Sequence, residues 1–448
     1  MDKRVVAAAV VVVVALAAFG GYRVSLRRQA VALENEIRAS GAPVTLAELN
    51  AWYEQPPDGD NAARAYTQAF DALVDVGDNA EHLPVLGDAG LPRRTEPIAY
   101  EMRQAISRHL GANAAALELI EHAAGRPRCR FPIDLRNGLD TERPHLPQLR
   151  QTARLLMVQA VLAAHEQMKN AAYRALSTQL ALVHALDDEP TMVSQLTRFD
   201  CAAVAVQTLE HVLNRTALAP GQISELIEGF QQLDEAHALA RGLAGRRCFV
   251  LDAARNGGAF ARYLGSQARW APITARLWSW TGLLTRDRAD CARWVTQLYY
   301  ASQGHFPEGL QVADAVRAEV AGVPGWHSPL AERLVGPLPA AVETEARHRA
   351  LMRLAFTALA VEQHRIAHGR PPETLSQLVP DILAWGPEDP CVDAAELLYQ
   401  RTANGYVVYS RGLDGKDDGG AENVDLEKAW REGDLTLTVE RSSTGRSP

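Results

Sequence analysis

At 448 residues, 47% hydrophobic and 22% charged, the chain has a globular composition, enough for about two or three domains, and is neither disordered nor fibrous. A net charge of −8 excludes a nucleic-acid binder driven by overall charge. Five cysteines (Cys129, Cys201, Cys248, Cys291 and Cys391) lie scattered without a C-x-x-C pair, which excludes a disulfide-dense secreted fold. Their odd number leaves at least one free or paired between chains, and most suit small core positions.

The first element is an apolar run from Val5 to Tyr22, uncharged and almost all Val and Ala. As a helix it reaches roughly 27 Å, enough to cross a thin hydrocarbon core. Lys3 and Arg4 precede it, and Arg23, Arg27 and Arg28 follow. The flanking charges do not fix orientation. A long downstream body translocates largely regardless of charge, so the expected topology is N-terminus inside and body outside the cytoplasm. A signal peptide cleaved after Ala15-Leu16-Ala17 is the competing reading; the arginines just beyond favour an uncleaved signal anchor. Arg supplies 42 of the 46 basic residues, a bias of GC-rich bacterial coding, so the expected address is a bacterial inner membrane with the body in the periplasm.

Residues 29–40 read as a helix leaving the membrane, ended by Gly41-Ala42-Pro43. Thr45-Leu46-Ala47-Glu48 is a capping-box signature. After the turn-rich Gln55–Asp60, Asn61 caps a helix with Ala65, Phe70, Leu73 and Val74 on one side. From 98 to 322 the pattern predicts consecutive helices, including 98–124, 147–168, 171–187 and 196–213. Leu149, Ala153, Leu156, Ala160 and Ala163 recur at spacings of three and four. Short links between such helices imply antiparallel neighbours, in a bundle or irregular α-solenoid. Pro324, Pro329, Pro337 and Pro339 mark a boundary at 323–342. Beyond it, a helix over 343–368 precedes two strands around Ala403-Asn404-Gly405 and a third at 435–440.

The expected fold is therefore mainly α. A transmembrane anchor (1–28) leads into a helical domain (29–322) and a Pro-rich linker (323–342). A small α+β domain (343–448), a long helix plus a three-stranded antiparallel sheet, ends the chain.

Between the second and third strands, five carboxylates (Asp414, Asp417, Asp418, Glu422 and Asp425) lie among glycines 412, 415, 419 and 420. Ca²⁺ takes six to eight hard oxygen ligands on a flexible loop, and closely spaced Asp and Asn on Gly turns supply them. The spacing is not that of an EF-hand, and a solvated acidic loop fits the composition equally well.

Residues 364–426 resemble the globular part of the major pseudopilin of type II secretion. The matched motifs are Gly369-Arg370-Pro371-Pro372 closing a long helix, Asp389-Pro390, and the strand Gly405-Tyr406-Val407-Val408-Tyr409-Ser410. The matched loop reads Gly412-Leu413-Asp414-Gly415, then Gly419-Gly420, then Asn423-Val424-Asp425-Leu426. The resemblance implies a Ca²⁺ held by the side chains of Asp414 and Asp425, with Asn423 in the matched motif. Carbonyls near Arg411 and Val424 would add to the shell, and Asp417 or Asp418 would complete it. The chain departs from that family in having no Glu within the apolar run, about 300 residues between run and module, and Cys391-Val392 after Asp-Pro. The whole layout also resembles membrane-anchored proteins of large-genome bacteria such as planctomycetes. Their recurring segments are echoed by Gly41–Leu46, Asn61-Ala62-Ala63 and Glu189-Pro190-Thr191. That resemblance carries no activity.

The stretch 241–296 holds ten Arg against three Asp, with Trp270, Trp278, Trp280 and Trp294 interleaved. Such a pattern suits an anionic lipid surface, or a solvated face with Trp anchors in the core. Catalytic signatures are missing: no G-x-S-x-G, P-loop or dinucleotide fingerprint occurs. His364 and His368, four apart, suit a helix cap better than a metal pair. The reading is a non-enzymatic, membrane-tethered scaffold or partner-binding protein. The alternatives are an accessory of a secretion or pilus-like system, or a hydrolase with a site inside the helical body.

Overall fold

In the computed structural model, which describes residues 3–235, 237–255, 271–325, 328, 330–423 and 425–440, a single helix, α1, runs over Lys3–Ala39. Its two halves differ. Val5, Val11 and Leu16 are 57%, 67% and 63% exposed, whereas Leu26, Ala30 and Ile37 are buried. Within α1, Ala9–Ala39 is long and apolar enough to span a membrane. The inner half is tied down by Glu34, buried and paired with Arg255 at 2.7 Å and Arg288 at 3.3 Å.

The described helices of the body follow as α2 (Leu46–Trp52), α3 (Ala63–Asp71), α4 (Tyr100–Ala112), α5 (Ala114–Ala124), α6 (His145–His165) and α7 (Lys169–His184). Then come α8 (Met192–Arg215), α9 (Pro220–Glu235), α10 (Ala238–Arg255), α11 (Ala271–Thr281), α12 (Leu283–Ala301), α13 (Glu308–Gly322) and α14 (Leu338–His368). The capping box at Thr45 is complete, with Glu48 N–H donating to Thr45 Oγ1 and Thr45 N–H to Glu48 Oε2. The predicted helix 98–124 breaks at Asn113. This residue leaves helical backbone because its Oδ1 accepts the Val74 amide at 2.9 Å, a partner far off in sequence.

The Pro-rich stretch carries more structure than a linker. Ala331–Val335 form a π-type turn, and α14 begins at Leu338, ahead of the expected 343. Proline suits the first helical turn, where its missing N–H has no partner to lose. Asp287 of α12, fully buried, holds the segment by accepting the Leu330 amide at 3.0 Å and the Ser328 hydroxyl. Pro329 lies outside the described residues.

Strands β1 (Leu398–Arg401), β2 (Gly405–Ser410) and β3 (Leu435–Glu440) form an antiparallel sheet in the order 1-2-3, with Leu398 opposite Tyr409 and Tyr409 opposite Thr436. Helix α15 (Leu426–Glu432) precedes β3. One apolar core joins Leu149 of α6, Leu176 of α7, Leu209 of α8, Phe230 of α9 and Leu359 of α14 to Val408 and Leu437 of the sheet. The outer edge of β3 is covered by α8. Glu210 accepts the Thr438 amide at 3.0 Å, and Asn214 donates to the Thr438 carbonyl and accepts the Glu440 amide. Covering an edge in this way satisfies its ladder groups and blocks strand addition. A second core unites α10, α12, α13 and the start of α14 around Trp294, Leu243 and Val342. All five cysteines are free thiols.

Candidate functional site

The acidic loop hangs between β2 and α15. At its entrance Asp389 is buried and accepts the Cys391 amide, the Ser410 hydroxyl and the Arg411 amide at 2.8–3.0 Å. The Asp-Pro step is thus a clamp that fixes where β2 releases the loop. Arg411 takes part through its backbone. Positive φ at Gly412, Gly415, Gly419 and Gly420 lets the chain fold back on itself. At Gly412 a Cβ would come within 2.5 Å of the Gly433 carbonyl, so that turn needs glycine.

Asp414, Asp417, Asn423 and Asp425 each have a traceable position. Asp414 accepts the Lys416 amide at 3.0 Å and faces its ammonium at 3.2 Å; chiefly the amide bond lowers its pKa. Asp417 accepts the Gly419 amide at 2.9 Å and the Tyr409 hydroxyl at 3.2 Å. Burial, reinforced by that carboxylate, pushes Tyr409 up to about 12. Asn423 accepts the Asp425 amide, and Asp425 accepts the Lys428 amide, capping α15. Val424 lies outside the described residues.

The residue that draws the loop together is one that the motif reading missed. Asp434, buried just before β3, accepts the Asp418 amide at 3.1 Å and the Gly420 amide at 2.8 Å through Oδ2. Its Oδ1 is buried with no protein partner. Burial raises its pKa, and the Asp418 and Asp417 charges raise it further. A cation would relieve both the crowding and the orphan oxygen, and the donors are all hard oxygens, as Ca²⁺ requires. Among the described residues no three His, Cys, Asp or Glu side chains already converge as a formed metal site. His364 and His368 stack at 4.1 Å, and His368 Nδ1 meets the His364 carbonyl, as a helix end would have it.

Inside the helical body lies a second polar centre. Glu189, fully buried at the N-terminal end of α8, accepts from His145 Nε2 at 3.0 Å, the Ser194 hydroxyl at 2.5 Å and the Tyr53 hydroxyl at 3.3 Å. Tyr53 in turn accepts the Phe131 amide at 3.0 Å, and Asn61 accepts the Arg130 amide at 2.9 Å. The segments around Asn61 and Glu189 therefore meet on the stretch 130–131. Ser194 donates to the carboxylate and not to His145, so the three are not arranged as a serine–histidine–carboxylate relay. This centre is a structural junction. Comparison of the chain with family models, curated proteins and solved structures finds no match to any of them.

Proposed function

We propose that the chain is a single-pass envelope protein of a bacterial inner membrane, whose helical body acts in the periplasm as a scaffold for a protein partner and whose C-terminal loop is stabilised by Ca²⁺. The division of α1 carries this reading. Its Val/Ala half is exposed over Val10–Val14 and Leu16, while its charged half is built into the body through Glu34. An apolar face left bare in water is costly, and a bilayer of matching thickness removes that cost. The protein is expected to stay in membranes through an alkaline wash, and a reporter fused to its C-terminus to be active only outside the cytoplasm. Release at high pH, or activity inside the cytoplasm, counts against the topology.

When bound, Ca²⁺ would supply positive charge to Asp417, Asp418 and Asp434, with Asp414 and Asp425 on the same loop. Support comes from the orphan Asp434 oxygen and from the resemblance of residues 364–426 to pseudopilins. Melting of the full chain in detergent should rise with Ca²⁺ but hardly with Mg²⁺, which demands tight octahedral geometry. At a hundred-fold excess over Kd the gain is about 2.7 kcal/mol. Asp434→Asn and Asp417→Asn should each remove the Ca²⁺-specific rise. Identical melting of the wild type in EDTA and in millimolar Ca²⁺ defeats the calcium reading.

A further inference from the structure

We propose that helix α11 is a second membrane contact, lying in the headgroup–acyl boundary beside the point where α1 leaves the bilayer. The proposal rests on the reading of Val5–Tyr22 as a membrane span. The juxtaposition is direct: the Trp280 ring meets the Phe19 ring at 5.6 Å between centroids, and Phe19 sits in the last turn of the apolar run. One turn on, Arg23 donates to the Trp280 carbonyl, a last-turn group of α11 that has no partner within its own helix. Gly282, at φ +87°, ends α11. A Cβ there would come within 3.3 Å of Arg23 Cδ and 3.5 Å of Leu26, so the corner between α11 and α12 is held close against α1.

What α11 leaves uncovered fits that position. Leu277 and Trp280, three apart and on one helix face, are 55% and 66% exposed. Trp278 turns inward, packing against the second core. Arg276 is exposed beside them, and Arg23, Arg27 and Arg28 follow the apolar run on α1. Trp and Leu reaching toward the acyl chains, with Arg at headgroup level, is the composition of an interfacial helix. Lipid is favoured over a protein partner because the exposed face adjoins Phe19 and the bare Val/Ala half of α1. A protein covering it would have to sit within the bilayer. Of the basic stretch 241–296, this assigns the lipid contact to α11; Arg262, Arg269 and Trp270 lie outside the described residues.

The test uses the full chain in vesicles of phosphatidylcholine with phosphatidylglycerol. Single cysteines replace Leu277, Val12 and Trp385 in a Cys391→Ser background and carry an environment-sensitive fluorophore. Spin-labelled lipids quench at shallow or deep positions. The Leu277→Cys probe should be quenched about two-fold more by shallow than by deep label, since interfacial helices sit about 5–10 Å into the boundary. The Val12→Cys probe should favour the deep label, and Trp385→Cys should respond to neither. If Leu277→Cys behaves like Trp385→Cys while Val12→Cys is quenched, the anchor stands and this inference fails. If Val12→Cys is also unquenched, the membrane reading itself fails and takes the inference with it.

Discussion

Replacing Glu189 with alanine should destabilise the folded chain by about 2–5 kcal/mol, at about 1–3 kcal/mol for each buried donor left unsatisfied. The carboxylate is the shared acceptor for His145, Ser194 and Tyr53. Its loss takes the acceptor from His145 and Tyr53, while Ser194 keeps its contact with the Thr191 hydroxyl at 2.6 Å, and burying an unpaired polar group costs more than the bond itself contributes. The surroundings cannot close the gap. Helix α10 packs so tightly on the turn that a Cβ on Gly245 would lie 1.8 Å from the Pro190 carbonyl. Glu189→Gln keeps the volume and one acceptor oxygen, so its cost should be smaller. Urea unfolding followed by tryptophan fluorescence measures both: the midpoint should fall with an unchanged slope. A Glu189→Ala unfolding free energy within about 0.5 kcal/mol of wild type, the range usual for surface substitutions, would mean that the junction is open to water.

The Glu189 junction also shows what the sequence could reveal. Asp187-Asp188-Glu189-Pro190 reads locally as a helix break with negative charge at the next helix start, and Glu189 does bond Ser194 in the first turn of α8. Its other partners, Tyr53 and His145, are 136 and 44 residues away. Periodicity and turn chemistry cannot see such pairings. Asn113 makes the same point, since a partner across the fold breaks a helix that its own neighbours favour. The hairpin at Asn404-Gly405 was legible because turn chemistry and alternation are both local. The acidic loop was legible in composition alone. Asp434, which gathers the Asp418 and Gly420 amides, sits beyond the matched motif and becomes its neighbour only once α15 and β3 have folded back.

A second buried centre should make the stability of two variants depend on pH in opposite senses. On α14, Glu345 and His348 lie in the interior with Arg349, facing Arg198 of α8 and, from α9, Asp234. Burial pushes Glu345 up to about 7, against the pull of Arg349 and Arg198. Burial and the Arg198 charge push His348 down to about 3; it stacks on Phe199 at 4.5 Å, and its Nε2 meets the Leu233 carbonyl. From pH 4.5 to 7 the folded state holds a proton on Glu345 that the unfolded state has released, so this group loses stability as pH rises. From pH 3 to 6.5 the unfolded state holds a proton on His348 that the folded state refuses, so this group gains stability as pH rises. Between pH 4.5 and 6.5 the two slopes, each about 1.4 kcal/mol per pH unit, oppose one another and nearly cancel in the wild type. His348→Gln should unmask the falling slope and Glu345→Gln the rising one, each approaching about 2.7 kcal/mol across that window. The comparison is of slopes against wild type, so any pH-independent cost of the substitution drops out, as do the groups common to all three proteins. Unfolding free energies at intervals from pH 4.5 to 6.5 give the answer. Slopes in both variants equal to that of the wild type would mean that neither group changes its proton occupancy on folding, and that the centre is hydrated.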